Sequence, residues 1–462
     1  MRRRISGHGG WIEGLENRRF LSAVSSAAAI TVGPIVDATP LRYSQVAPQI
    51  AVNPLNSQDL VMVAQNVENQ AAIPVEYSFN GGQSWTRNYI TGNTDGLPAN
   101  NPRVDPRVAF DSYGNVYVAY EVAASYTEIR IVVARSSNDA VTFSAVSTAV
   151  GGAGCNADYP NIATGPAAAN SRKQAIWISY TDYADPNAIR VKAVYATSSG
   201  LGQLSSFSSP QGVGAAGGDV ANLAVGSSGQ VAIAYETQQN PTGPDNIMIS
   251  VNAKGTNGGG FNRNYLASTT NVGPYDPIPA EPNRTIDAVP QVAFDRSGDS
   301  TDGRLYLVYT DAVAPGSADT NIELRYSDNL GASFSPALRV NDDTTSNSQF
   351  LPALAVDQTT GNVGISWLDA RNSPANNTVQ EYAAISTTHA ASVQPNFMVS
   401  SGTSNQAGAN TDGQSWDYGD VTGACFANNR FIVAWADNSN VLGQNPDGTD
   451  SFFDVYTAII IV

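Results

Sequence analysis

The sequence predicts an all-β fold, a seven-bladed β-propeller of four-stranded antiparallel blades, and three observations carry that expectation. A short apolar triplet with a central alanine recurs along the chain, a β-rich run follows each copy after a turn, and the chain's two ends complement one another as halves of one sheet. The triplets are Ile50-Ala51-Val52, Val108-Ala109-Phe110, Ile162-Ala163-Thr164, Leu223-Ala224-Val225, Val292-Ala293-Phe294, Leu354-Ala355-Val356 and the weaker Gly423-Ala424-Cys425, with alanines 58, 54, 61, 69, 62 and 69 residues apart. Five have a proline two or three positions earlier: Pro48, Pro106, Pro160, Pro290 and Pro352. A fixed period of this length is the mark of a repeat architecture.

The second runs, such as Val116–Tyr120, Val231–Tyr235, Leu305–Tyr309 and Phe431–Trp435, are rich in β-branched and aromatic residues, as strands are. Turns such as Tyr113-Gly114-Asn115 and Ser228-Gly229-Gln230 join them to the triplets. A third strand follows, for example Ile129–Val133 or Asn321–Tyr326, and then a more polar fourth, such as Ala337–Val340. Four antiparallel strands repeated radially make a propeller blade. The small alanine suits the innermost strand, where blades converge and bulky side chains would collide. The last unit runs out at Val455–Ile461 without a fourth strand, while Ile30–Ile35 precedes the first unit as an orphan. Pairing the two closes the ring and hides both edges. A length of 462 residues by itself suggests about three domains; the repeat replaces that with one ring over residues 29–462.

Composition narrows the chemistry. The net charge of −16 argues against nucleic acid and anionic membranes, which require basic surface. Only two histidines, His8 and His389, and two cysteines, Cys155 and Cys425, are present. A zinc finger or His-rich metal site is therefore excluded, and any mechanism falls to carboxylates and tyrosines. The cysteines read as small unpaired core residues rather than as a disulfide. No stretch approaches the ~20 apolar residues of a membrane span.

Residues 1–28 read as a leader outside the fold, with Arg2, Arg3 and Arg4 at the start and a small-residue run at Ser22–Ala28. The string Leu15-Glu16-Asn17-Arg18-Arg19-Phe20-Leu21-Ser22-Ala23 resembles the LExRxLLSA element of exported bacterial surface proteins; a disordered basic tail is the alternative. The expected location is secreted or at the cell surface.

Between third and fourth strands lie two octapeptides, Ser78-Phe79-Asn80-Gly81-Gly82-Gln83-Ser84-Trp85 and Ser327-Asp328-Asn329-Leu330-Gly331-Ala332-Ser333-Phe334, and a worn copy, Ser136–Phe143, in which Ala140 stands for glycine. They match the Asp-box, S-x-[D/N]-x-G-x-[S/T]-[W/F], in which the carboxamide caps the hairpin and glycine supplies a positive φ. Through them the chain resembles the sialidase-like, Asp-box (BNR) propeller superfamily over nearly all its length beyond the leader. Classical sialidases of that superfamily have six blades, so seven is a departure. The same propeller carries hydrolases and pure binding proteins.

The loops entering first strands and leaving second strands share the face opposite the octapeptides. Acids end the second strand at Glu121, Asp182, Glu236, Asp311, Asp369 and Asp437, and others precede the first strand at Asp105, Asp158, Asp219, Asp287, Asp417 and Asp420. They form either an acidic mouth that binds a ligand or a cation, or a set of turn caps that recur because every blade needs one. The resemblance implies an arginine triad, a Tyr–Glu nucleophile pair and an Asp acid/base. The family's [F/Y]RIP string is absent; Arg107 is the nearest position, with Arg284 and Arg371 on the same face, Tyr418 and Tyr159 as tyrosines, and Asp420 as a carboxylate. Asp295, Asp299 and Asp302, in a loop ending at Gly303, are spaced as calcium ligands are, without the terminal Glu of an EF-hand. No cofactor is required, and structural calcium is the one metal the loop suggests. The expected role is recognition of glycan or extracellular protein by a monomer, with an exo-acting glycoside hydrolase as the alternative.

Overall fold

In the computed structural model, residues 30–185, 188–214, 216–406, 417–439 and 452–462 are described. Alternating apolar and polar residues produce seven four-stranded antiparallel sheets, six of them with their strands in chain order, so the molecule is a seven-bladed β-propeller. The innermost strands are Gln45–Asn53, Arg103–Phe110, Ala157–Pro166, Asp219–Val225, Gln291–Phe294, Gln349–Val356 and Gly423–Ala427. The seven alanine triplets all fall on them.

The seventh sheet is built from both chain ends. Thr31–Asp37 lies antiparallel to Asp454–Ile461, with Thr31 opposite Ile461 and Asp37 opposite Tyr456. The second strands form the hydrophobic middle of each blade: Val116–Tyr120, Val231–Tyr235, Leu305–Tyr309 and Phe431–Trp435 are buried throughout. Packing between neighbouring blades buries Trp177, Trp367 and Trp435 almost completely. Cys155 and Cys425 are free thiols. No helix among the described residues is long and apolar enough to cross a membrane.

The three octapeptides share one hydrogen-bond pattern. In blade five, Ser327 Oγ accepts from the Gly331 amide at 2.8 Å, and Asn329 Oδ1 accepts from the Ser333 amide at 2.9 Å. Blade one repeats this with Ser78 and Asn80, and blade two with Ser136 and Asn138. A fourth copy stands in blade six, where Ser386 Oγ and Thr388 Oγ1 accept from the amides of Ala390 and Ser392. Sequence reading passes over it because Thr replaces Asn and Val393 replaces the aromatic residue. In blade four a 3-10 turn, Gly255–Asn257, takes the place of the octapeptide.

Each inner strand begins with the same kink. Ala47, Asp105, Tyr159, Val220, Val289 and Leu351 all have φ between 42° and 52°, and Gly419 takes the left-handed conformation in blade seven at 84°. Each lies four residues before its blade's alanine, or five in blade seven. A left-handed non-glycine residue costs about 1–3 kcal/mol and is kept where surrounding structure demands it. In most blades the kink coincides with a register shift between first and second strands, and it turns the chain from the entry loop into the sheet at the axis. The ring of kinks is therefore a seven-fold frame on which identity varies: Asp105 and Tyr159 are polar, while Ala47, Val220, Val289 and Leu351 are apolar.

One hairpin lies outside the blades. Between blades four and five a short hairpin, Asp276–Ile278 paired with Glu281–Ile286, is inserted. Its Ile278, Ala280 and Ile286 are buried in one cluster with Val46, Ala47, Leu351, Tyr418 and Phe453.

Candidate functional site

Entry segments of blades three, five, six and seven enclose a cavity of about 150 Å³ at the mouth, lined by Tyr159, Tyr275, Arg284, Asp287, Leu351 and Asp420 among others. A narrow throat of about 20 Å³ continues inward past Arg107, Asn161, Asn222 and Gln291, and shares Tyr159 and Asp420 with the cavity. The inserted hairpin supplies Arg284, which forms an ion pair with Asp420 of blade seven. The same hairpin buries Glu281 beside Asp417, and burial, then Asp417, lifts its carboxyl well above its ordinary range.

Burial keeps much of this charge from being expressed. Asp287 is raised to about 7, mainly by burial and then by Asp420, while the Val289 amide and Arg284 pull the other way. Tyr159 holds its proton far above the usual phenol range because Asp420, burial, Asp287 and Asp158 all disfavour a phenolate. With its proton held, it presents a hydroxyl that can donate and accept hydrogen bonds.

Beside the cavity, Asp105, Glu121 and Asp158 offer carboxylate oxygens that lie within 4.8 Å of one another. The kink of blade two aims Asp105 inward, the end of its second strand delivers Glu121 next to Val104, and the entry of blade three delivers Asp158. Asp105 is raised to about 7 by burial, Asp420 and Asp158, against Arg107 and Arg284. Glu121 is pushed well up by burial and by Asp158 and Asp105.

The remaining expected residues have other places. Tyr418 is not at the mouth: its ring is 1 % exposed and packs edge-on against Phe350 and Phe453, and its hydroxyl accepts the Gln406 amide at 3.2 Å. Arg371 does not join Arg107 and Arg284; its guanidinium is held by Asp369, Asp342 and Asn396 and stacks on Tyr382. No three-arginine cluster lines the mouth cavity among the described residues.

The acids ending second strands divide by position. Asp369 and Asp437 accept the indole N–H of Trp367 and Trp435 at 2.7 and 2.9 Å and cap their own turns. Asp311 accepts amides of Asn271 and Ala312, and Asp182 pairs with Lys192. These four serve their blades. Glu121 and Glu236 instead face other carboxyls, Glu236 being raised by burial and by Asp287, Asp245 and Asp219. Asp219 is satisfied by Thr181, Tyr183, Gln238 and the Val220 amide.

The calcium-like loop lies on the opposite face and departs from its expected ligand set. Asp295 and Asp299 come together with His389, whereas Asp302 turns away to the Ser227 hydroxyl at 3.2 Å. Thr301 and Ser297 donate to Asp295, and Thr301 also donates to Asp299, so these carboxylates close their own turn. The leader 1–28 lies outside the described residues.

Tyr275 and the importance of the hairpin escape sequence reading. The spacing of 69 between Ala224 and Ala293, against 61 and 62 on either side, is the only signal of the insertion.

No family model matches the chain, and no curated protein matches it. Among solved structures it is similar to an α-L-arabinofuranosidase of Fusarium graminearum in complex with arabinobiose, at 14% identity and TM-score 0.46, covering 76% of this chain and 97% of that one. It is also similar to a Hadza microbial sialidase, at 15% identity and TM-score 0.46 over 71% and 64% of the two chains. A phage phi92 endosialidase covers 93% of this chain and 69% of its own, at 10% identity and TM-score 0.49.

Proposed function

We propose that the protein is an exported carbohydrate-recognition propeller that takes a sugar unit of a neutral glycan into its mouth cavity. The observation that carries this reading is one cavity lined together by Tyr275, 59 % exposed, Arg284, Asp287, Asp420 and Tyr159. A sugar presents an apolar C–H face and a rim of hydroxyls. An exposed aromatic ring beside convergent acceptors and donors matches both, as ligand sites pair apolar walls with a few fixed polar groups. The cavity is smaller than the roughly 300–1,000 Å³ of drug-sized sites, which suits a single unit of a chain. Neutral rather than acidic sugars follow from charge: Arg284 is already paired, and Asp105, Asp158, Asp287 and Asp420 surround the mouth.

A second reading, glycoside hydrolysis, is supported by one feature. Asp287, with its proton retained to about 7, lines the same cavity as Asp420, whose partner is a guanidinium. Two carboxyls in unlike surroundings, one of them holding its proton, are the pairing that glycoside cleavage uses.

Glycan-array binding followed by titration calorimetry tests the first reading, with Tyr275→Ala expected to abolish the signal. Binding unchanged in Tyr275→Ala would remove it. A panel of fluorogenic aryl glycosides, sialosides included, separates the two readings. Turnover that disappears in Asp287→Asn establishes hydrolysis, and binding without turnover restricts the protein to recognition.

A further inference from the structure

We infer that Asp105, Glu121 and Asp158 form a binding site for one hard divalent cation at the axial end of blades two and three, separate from the sugar cavity. Two independent observations carry it. The first is convergence: three carboxylates from three separate chain segments present oxygens within 4.8 Å of one another. Oxygens bound at the 2.3–2.6 Å typical of calcium can be no farther apart than about this. The second is that two buried oxygens in the group have no hydrogen-bond donor, Asp105 Oδ1 and Glu121 Oε1, in residues only 6 % and 2 % exposed. A buried carboxylate oxygen without a donor is costly; Asp219, one blade further on, shows the satisfied alternative, with both oxygens accepting from donors.

Charge points the same way. Asp158 and Glu121 are hydrogen-bond neighbours, a contact that disfavours ionising Glu121 and favours ionising Asp158. Arg107 is the nearest cation, and its Nε is itself without an acceptor. Once all three are ionised, three carboxylates with one guanidinium leave two net negative charges, which one divalent ion neutralises. An all-oxygen donor set selects calcium, magnesium or manganese over softer metals. Waters would complete the shell, since the protein supplies three side chains. The ion would tie blade two to blade three at the axis, where no other side-chain pair does so with charge among the described residues. This differs from the Asp295 loop, whose carboxylates are occupied by Thr301 and Ser297.

The test uses the full chain dialysed against EDTA, then titrated separately with calcium, magnesium and manganese chloride. One of the three is expected to bind at one ion per chain, and to raise the melting temperature by roughly 3 °C at a hundredfold excess over its dissociation constant. Glu121→Gln and Asp158→Asn are expected to weaken that binding at least tenfold, while Asp299→Asn leaves it unchanged. Having two variants of near-identical shape keeps the test informative if one misfolds. Absence of a bound ion and of any thermal shift with all three metals would overturn the site in favour of a shared proton. Loss of binding in Asp299→Asn alone would move it to the opposite face and overturn it equally.

Discussion

Arg284 and Asp420, 136 positions apart, form an ion pair that ties the inserted hairpin to blade seven at the edge of the mouth cavity. Their side chains are 22% and 15% exposed, so the pair is partly screened and its value to folding is modest. Under the proposed carbohydrate reading its value to a ligand is larger, because it fixes a guanidinium and a carboxylate on one wall. Arg284→Ala is expected to lower glycan affinity about tenfold or more while moving the melting temperature little. A double-mutant cycle with Asp420→Ala measures the coupling; affinity equal to wild type in both single variants would separate the pair from the site.

Tyr275→Ala removes an exposed ring and no core contact. Stability should stay within about 0.5 kcal/mol of wild type, with binding lost. A large fall in stability would reveal a packing role instead.

Gly331→Ala tests the octapeptide of blade five. Its φ is +81°, and an added Cβ would meet Ile249 Cγ2 of blade four at 2.7 Å. Both the backbone conformation and the inter-blade contact resist the methyl group, so a loss of about 1–3 kcal/mol is expected in chemical denaturation. Ser327→Ala, which deletes the acceptor of the Gly331 amide, should cost a similar amount.

Glu381 gives a pH dependence of definite sign. It is wholly buried in blade six, and its carboxyl is raised from 4.5 to about 8, by burial first, with Ser366 opposing and Asp437 and Asp369 reinforcing. The unfolded chain releases this proton at lower pH than the folded one does. Stability from this group is therefore complete below about pH 4.5 and declines as pH rises through about 8. Glu381→Gln should flatten the melting-temperature profile over that interval. A variant profile as steep as wild type would assign the slope to other carboxyls.

Ring closure is open to truncation. Removing residues 30–37 exposes the backbone edge of Asp454–Ile461, and an exposed, apolar edge strand pairs with other chains. Lower stability and concentration-dependent association in size-exclusion chromatography are expected. A truncated chain that stays monomeric with an unchanged melting temperature would mean that closure contributes nothing.

The contrast between Ala109 and Arg284 shows what was legible in the sequence. Ala109 belongs to a motif repeated in every blade, because each inner strand meets the same crowding at the axis, and a constraint imposed seven times leaves seven copies in the sequence. The octapeptides were legible for a related reason: their bonds run between residues two and four positions apart, so spacing alone encodes them. The worn copy at Ser386 escaped because backbone geometry tolerates Thr in place of Asn while a pattern does not. Arg284 occurs once, in an insertion visible only as a longer interval.

Sequence alone therefore determined the blade count, the order of strands and the joining of the two ends, all of which follow from local alternation, turn chemistry and the need to hide sheet edges. Tertiary structure alone decided that Tyr159 faces the mouth while Tyr418 is buried, that Arg371 pairs at Asp369 and Asp342, and that Asp105, Glu121 and Asp158 converge. Ring closure brings together side chains that are distant along the chain, and no local pattern records which of several similar acids ends up facing a donor and which faces another acid.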